Sequence, residues 1–490
     1  MNLEKKSELR QRTAFVDFHA LPNVVFDKSK ILGKTVSILI IGAGEMGYHL
    51  ARRLTYEKQD VVIIDQNPER VNFISENLDV QALLGRGSSP GALQEANVQS
   101  AQMLVAVTDS DEVNLVACMM AGLMNPFLKK IARLRRLEDY ERTDVAASKN
   151  FGIDLVISPE REAVSRLLQV LQVPSATDVV DFADGRIKLF GFHLGADSPL
   201  LGRSLMGLRS EFSDKRFLIP AIFRGSEIII PGGKDTLSAL DIVYLLAATE
   251  TIPDLMKIFG LKATPPKSFM ILGASKVGVQ IALGLERLGA SRIRLVESNP
   301  VKCEEVAGLL DHTLVLKADT VDEEFLHSEG VEDTNVFLSM TEDDNHNALT
   351  ALLAKRMGVP RVCALTNRVE YQRLLSTIGV DVVVNPRLAG ASRILQFLRR
   401  GKVISVSMLP GEGVEAIEFE AMEMSQLVGR PLRKMRFPYG AILGAVQRGS
   451  EFLIPDGETI IQPGDRVVVF ARREAIPKIE KLVTVPIEYF

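Results

Sequence analysis

The stretch SILIIGAGEMGYHLARRL, residues 37–54, decides the fold. An apolar, β-branched run enters a glycine turn, and a segment with apolar residues at helical spacing leaves it, so the chain reads strand, tight turn, helix. In Gly42-Ala43-Gly44-Glu45-Met46-Gly47 each glycine has a distinct task. Gly42 permits the tight turn, Gly44 lets a pyrophosphate approach the backbone, and Gly47 lets the helix pack close to the strand. The helix N-terminus then offers unpaired N–H groups to phosphate. Asp65 closes the next apolar run, where such a turn is expected to have its acidic partner. A carboxylate there accepts hydrogen bonds from an adenosine ribose and repels a 2′-phosphate, so the expected ligand is NAD(H) or an adenine nucleotide rather than NADP. The other reading is a turn kept for the fold alone; strand, helix and acidic residue together favour a nucleotide site.

Further along the chain KSFMILGASKVGVQIALGL, residues 267–285, repeats the pattern, Gly42 matching Gly273. Asp65 matches Glu297, Asn114 matches Asn347, ISPE at 157–160 matches VNPR at 384–387, and AIFRGSEIIIP at 221–231 matches AVQRGSEFLIP at 445–455. The order is kept and the offset hardly drifts, which makes the chain a tandem duplication. Each half opens with short β-branched runs, in the first half 36–41, 61–65, 80–84, 103–107 and 153–157, alternating with helix-length segments such as 45–57 and 112–122. That alternation predicts a doubly wound parallel sheet. Each half closes with a different texture, around 185–249 and 411–472, where strands are broken by Gly-Ser, Pro-Gly-Gly and Pro-Gly-Asp turns. The expected fold class is therefore α/β: two tandem Rossmann-like sheets, each followed by a small α+β domain. The expected boundaries are an N-terminal extension at 1–33, sheets at 34–172 and 263–400, and smaller domains at 173–262 and 401–490, with LKATPPKS at 261–268 the clearest linker.

The second turn, Gly273-Ala274-Ser275-Lys276-Val277-Gly278, keeps the outer glycines and an acidic partner, Glu297. Ser275 adds a Cβ and a hydroxyl where phosphates would sit. The hydroxyl either donates to phosphate or pushes the ligand away, so occupancy of the second site is open.

Composition removes whole classes. Net charge is −4 with both signs mixed along the chain, which argues against a nucleic-acid surface. No apolar run approaches the ~18 residues of a membrane span, and the N-terminus has no apolar core of a signal peptide. Cys118, Cys303 and Cys363 lie far apart with no C-x-x-C pair, and read as buried thiols of a cytoplasmic protein rather than as a metal or redox site. No Gly-x-Ser-x-Gly elbow, P-loop lysine motif or His-Glu-x-x-His occurs; His49 reads as a helix-surface residue, His193 is the only histidine of the first smaller domain, and His312 and His346 have no carboxylate or cysteine partner at a metal spacing. No catalytic residue and no metal site is expected.

Two acidic segments sit at matching places, TDSDEVN at 108–114 and TEDDNHN at 341–347. Thr108 and Thr341 are expected to cap the following helices, and Asn114 and Asn347 to face back toward the site; alternatively the acids are only N-terminal helix charges. Arg133, in IARLR at 131–135, ends a strand where a guanidinium can reach phosphate.

Together IIGAGEMG, IIDQNPER, AVTDSDEVNLVA, IARLR, ILGASKVG, LVESNPVK and SMTEDDNHNALTALLAKRMG resemble the domains that regulate potassium conductance (RCK, or KTN) with their C-terminal companions, in the double arrangement of Trk-type regulatory subunits. The resemblance spans about residues 36–480. It implies a peripheral cytoplasmic subunit docked on a membrane potassium-transport subunit of the TrkH kind, assembled as a homo-oligomeric ring of such domains. NAD(H), ATP or ADP would bind. Carried over by position, Gly42, Gly44 and Gly47, with Glu45 and Met46 between them, line the phosphates, Asp65 holds the ribose, and Thr108, Asp109 and Arg133 complete the pocket. Gly273, Ser275, Lys276, Val277, Gly278 and Glu297 take the same parts in the second. Gly85-Arg86-Gly87 departs from the family's usual Gly-Asp-Gly. Competing readings are a regulatory subunit of a potassium efflux transporter, an NAD-dependent oxidoreductase and a nucleotide-responsive transcription regulator.

Overall fold

The structure, a computed structural model, describes residues 37–136, 152–213, 215–225, 227–261, 264–318, 322–398, 403–409 and 413–483. The N-terminal extension and the linker positions 262–263 lie outside them.

In the first half β1 (Ser37–Ile41), β2 (Asp60–Asp65), β3 (Gln81–Leu84), β4 (Met103–Ala106), β5 (Lys129–Arg133) and β6 (Leu155–Ile157) form one parallel sheet in the order 3-2-1-4-5-6. The order reverses between β1 and β4, so the glycine turn leaves β1 at the crevice where doubly wound sheets take their ligands. β1 has no alternation because both of its faces are covered, and Ile38 to Ile41 are at most 2% exposed. The antiparallel sheet that follows contains β7 (Asp178–Phe182), β8 (Ile187–His193), β9 (Phe217–Arg224), β10 (Glu227–Ile229) and β11 (Ile242–Ala248), in the order 10-9-11-8-7.

The second half repeats both sheets strand for strand. β12 (Ser268–Leu272), β13 (Arg292–Glu297), β14 (Thr313–Lys317), β15 (Val336–Ser339), β16 (Arg361–Leu365) and β17 (Val382–Val384) stand in the order 14-13-12-15-16-17. β18 (Val403–Met408), β19 (Val414–Glu420), β20 (Ala441–Arg448), β21 (Glu451–Leu453) and β22 (Arg466–Arg472) stand in the order 18-19-22-20-21. The repeated Arg-Gly-Ser-Glu owes its arginine to one ion pair: Arg224 meets Asp241 and Arg448 meets Asp465, each at 2.8 Å. The turn texture had not revealed the edge strands β7 and β18, which precede the Gly- and Pro-rich stretches and carry no turn signal of their own.

The halves are not strung side by side. The helix Pro159–Gln172 of the first half packs against Pro386–Leu398 and against Lys276–Arg287 of the second, and its Ala163, Leu167, Val170 and Leu171 enter one core with Phe269, Ile271 and Leu295. A Cβ at Gly284 would stand 2.3 Å from Leu168 Cδ1, so the leucine packs directly on the bare backbone there and a side chain would have to displace it. Reciprocally Met46, on the helix Glu45–Tyr56, packs on Gly390. Buried Arg361 donates to the carbonyls of Val170 at 3.2 Å and Val173 at 3.4 Å, and also to Ala176, closing the C-terminal end of helix Pro159–Gln172. The antiparallel sheets share a second core, Phe182, Leu189 and Tyr244 meeting Ala416, Val468 and Phe470.

Candidate functional site

Each glycine turn is built by backbone sterics. Gly42 has φ +106° and Gly273 φ +98°, a region closed to side chains. A Cβ on Gly47 would lie 1.9 Å from the Gly42 carbonyl oxygen, and one on Gly278 would lie 2.1 Å from that of Gly273. Those four glycines are demanded by the protein itself. Gly44 is different. Its backbone, φ −68° and ψ −178°, suits any residue, and an added Cβ would meet only the Arg70 guanidinium, at 3.7 Å. Nothing among the described residues requires glycine there.

Ser275 shows what the same position does when it carries a side chain. Its backbone is nearly the same, φ −66° and ψ 165°. The hydroxyl accepts from Gly278 N at 3.2 Å and donates to the Met340 carbonyl. It is therefore spent inside the protein, and it occupies an N–H that the first helix, with no side-chain cap, leaves open.

The acidic partners tie the turns shut. Asp65 accepts from Ala43 N at 2.6 Å and Asn67 N at 2.8 Å. Glu297 accepts from Ala274 N at 2.8 Å and from Ser298 N and Asn299 N, each at 2.9 Å. Burial opposes ionisation of Glu297, but these N–H donors outweigh it and hold the carboxyl below its ordinary 4.5.

The acidic segments behave otherwise than expected. Thr108 and Thr341 are not the caps. Ser110 caps the helix Asp111–Met124 through Val113 N, and Asp343 caps Asp344–Arg356 through Asn345 N and His346 N. The threonine hydroxyls instead donate to Asn114 and Asn347, at 2.8 and 2.7 Å. Both asparagines are wholly buried rather than turned toward a ligand: Asn114 donates to the carbonyls of Thr108 and Arg133, and Asn347 to those of Thr341 and Leu365. They stitch adjacent strand ends, where a short amide can satisfy donors and acceptors at once. Asp111 and Asp344 had passed as helix charges. Asp111 holds Arg135 N at 2.8 Å and Arg136 N at 2.9 Å, and Asp344 holds Asn367 N at 2.9 Å and Arg368 N at 3.1 Å. Their equal place in the two segments was the available signal.

Arg133 ends β5 as expected, its Nη1 3.1 Å from Asp109 Oδ1. Its Nε is buried without a partner among the described residues, an unmet donor at the carboxyl edge of the sheet. The side chains of Met46 and Val277 are 3% and 4% exposed and belong to the cores between the halves, so only their backbones face the turns. Exposed Arg86 stands between Gly85 and Gly87; a Cβ on Gly87 would lie 1.9 Å from Ile41.

A cleft of about 820 Å³ runs between the halves. Its walls take in Asp109, Arg135 and Glu160 from the first half and Ser275, Lys276, Val277 and Arg387 from the second. Gly42, Gly44, Gly47 and Asp65 gather at the first turn and Gly273, Gly278 and Glu297 at the second. The first residue of each glycine-turn helix reaches across. Glu45 pairs with Arg387, whose Nη1 also donates to the Asn367 carbonyl at 3.1 Å, and Lys276 donates to the Arg135 carbonyl. Lys276 thus meets the loop held by Asp111 directly, while Arg387, at the start of the helix Pro386–Leu398, links Glu45 to the loop held by Asp344. Among the described residues no group of three metal-ligating side chains is gathered, and no helix is long and apolar enough to cross a membrane. Cys118 and Cys363 are buried and Cys303 is half-buried. His312 and His346 are exposed.

Comparison with known proteins places the geometry in context. The TrkA-N domain model matches residues 38–159 and 269–386, and the TrkA-C domain model matches 189–260 and 416–484. The Trk system potassium uptake protein TrkA of Azorhizobium caulinodans is 37% identical over 460 residues, covering 93% of this chain and 100% of the relative. A Trk system potassium uptake protein TrkA homolog of Methanosarcina mazei is 37% identical over 449 residues, 90% of this chain and 99% of the relative. The crystal structure of the GsuK RCK domain superposes with TM-score 0.56 at 18% identity, covering 97% of this chain and 99% of that one. A structure titled as the GsuK channel bound to NAD gives TM-score 0.56 at 18% identity, over 98% of this chain and 82% of that one. At that identity the likeness concerns the fold.

Proposed function

The chain belongs to the TrkA family of Trk-system potassium uptake proteins, and on that premise we propose that it is a non-enzymatic regulatory subunit that binds NAD(H) or an adenine nucleotide at the first glycine turn and gates a membrane potassium-transport subunit of the TrkH kind from the cytoplasmic face. The observation that carries the reading is Gly44: a position with ordinary backbone angles and room for a side chain, left bare where a pyrophosphate would pass. The unmet Nε of Arg133 supports it. So does the NAD-bound form of the GsuK channel, which shares the fold.

Gating then follows from differential affinity. The assembly has two arrangements, and binding shifts their balance only as far as one arrangement binds better. A tenfold preference supplies about 1.4 kcal/mol per site, and several sites acting together throw the gate. The cross-half contacts of Glu45 and Lys276 give the turns a route to each other. A ring of copies would form on the helix Asp111–Met124, which has no charged residue after Glu112 and leaves Val116, Met119 and Leu123 exposed beside Phe127 at 87%. The second turn is the weaker site, because Ser275 has taken one of its N–H donors.

Calorimetric titration of the whole chain with NAD, NADH, ATP and ADP tests the binding, and potassium flux in vesicles holding the membrane subunit tests the gating. Binding with nucleotide-dependent flux supports the reading. Binding that leaves flux unchanged removes the gating, and the absence of binding to any of the four removes the site.

A further inference from the structure

The second strand of each half ends in an acidic residue followed by Asn-Pro and, just after the proline, a base: Asp65…Asn67-Pro68-Glu69-Arg70 and Glu297…Asn299-Pro300-Val301-Lys302. Asn67 caps its helix by accepting from Glu69 N at 2.8 Å and Arg70 N at 3.3 Å, which fixes where the Arg70 side chain starts. The guanidinium then lies over the mouth of the first turn. Its Nη1 is 3.7 Å from the place of a Cβ on Gly44 and 3.9 Å from Asp65 Oδ2. We propose that Arg70 is the specificity-determining residue of the first turn, engaging the diphosphate of a nucleotide directly above Gly44. This rests on the reading of that turn as a nucleotide site.

Arg70 is placed and free to do this. Its contact with Asp65 is long and the side chain is 49% exposed, so the pair holds it weakly. Arg361 is committed to three carbonyls, and Arg133 is buried and paired with Asp109 with only its Nε unmet, so of the three Arg70 alone presents an exposed guanidinium fork. A guanidinium presents a planar fork that matches two phosphate oxygens, whereas an ammonium is a point charge. The halves differ at both members of the pair. Gly44 with Arg70 leaves open space under a fork, whereas the second half has Ser275 in the place of Gly44 and Lys302 in the place of Arg70. The first turn therefore grips the phosphates of its ligand with a fork that Lys302, a point charge, does not reproduce in the second.

The experiment titrates adenosine, AMP, ADP and NAD into the full chain and into Arg70→Gln, Arg70→Lys and Lys302→Gln, with thermal unfolding to check that each variant is folded. The expected result is a loss of at least tenfold in ADP and NAD affinity at the tighter site for Arg70→Gln, the effect of one charge-assisted hydrogen bond. Adenosine should be unaffected, Arg70→Lys should recover only part, and Lys302→Gln should leave the tighter site as it was. Equal losses for adenosine and ADP would place Arg70 on the nucleoside and overturn the proposal. So would undiminished ADP binding by Arg70→Gln. A parent chain that binds none of the four ligands overturns the nucleotide reading itself.

Discussion

Replacing Gly44 by serine transplants the second half's residue into the first, and stability and ligand affinity should move in opposite directions. Gly44 sits at φ −68° and ψ −178°, Ser275 at φ −66° and ψ 165°, so the serine enters without strain. In the second half Ser275 Oγ accepts from Gly278 N at 3.2 Å; the transplanted hydroxyl should take Gly47 N in the same way. Removing a glycine from an unstrained position contributes about 0.4–1 kcal/mol through the unfolded chain, and a serine cap adds a few tenths. The variant should therefore be stabilised by about 0.5–1.5 kcal/mol and melt about one degree higher. Binding should suffer, because the N–H given to the serine is one that phosphate would have used. A charge-assisted hydrogen bond is worth about 1.5–3 kcal/mol, so affinity at the first turn should fall about 10- to 150-fold. Gly47→Ala is the contrast: its Cβ would lie 1.9 Å from a backbone oxygen, so it should destabilise by about 1–3 kcal/mol or more, and any loss of binding would follow from misfolding. Differential scanning calorimetry and titration calorimetry on the same samples separate the two. A Gly44→Ser protein that binds nucleotide as tightly as the parent would refute the reasoning, since glycine at 44 would then have no function left to explain it.

Arg361→Leu should cost about 1–3 kcal/mol, because it leaves the Ala176 carbonyl without its donor and removes a second donor from the carbonyls of Val170 and Val173, which keep only their backbone N–H partners; limited proteolysis should show faster cleavage between the halves, and unchanged unfolding would discount the contact. The Glu297 carboxyl is held below its ordinary value in the fold, so its stabilisation is complete above about pH 4.5 and drains away as pH falls through the lower folded value. Glu297→Gln should therefore flatten the acid limb of a stability–pH curve; an unaltered limb would show the bonds to be irrelevant. Burial pushes the thiols of Cys118 and Cys363 up to about 12, and both are 0% exposed. In the native protein a chromogenic disulfide at pH 8 should titrate Cys303 alone, with the other two reacting only after unfolding.

The duplication, the parallel sheets and the glycine turns were legible because each is written within a few consecutive residues. A β-branched run dictates a strand, and the φ of Gly42 or the closeness of Gly47 to a carbonyl is a property of one turn. Sequence therefore settled that two nucleotide-shaped units follow one another and that smaller β-rich domains follow each. The destination of a polar side chain is another matter. Asp111 reads as a helix charge until β5 brings Arg135 and Arg136 to it from 24 and 25 residues away, and Ser275 reads equally as a phosphate donor or an obstacle to the ligand until Met340, 65 residues on, claims its hydroxyl. Nor does any local pattern announce that helix Pro159–Gln172 seats itself on the second half's sheet, or that Glu45 meets Arg387. Hydrogen bonds and packing are short-ranged in space and indifferent to distance along the chain. The sequence thus determined what each half is, and only the tertiary structure decided which groups at the turns remain free for a ligand and how one half touches the other.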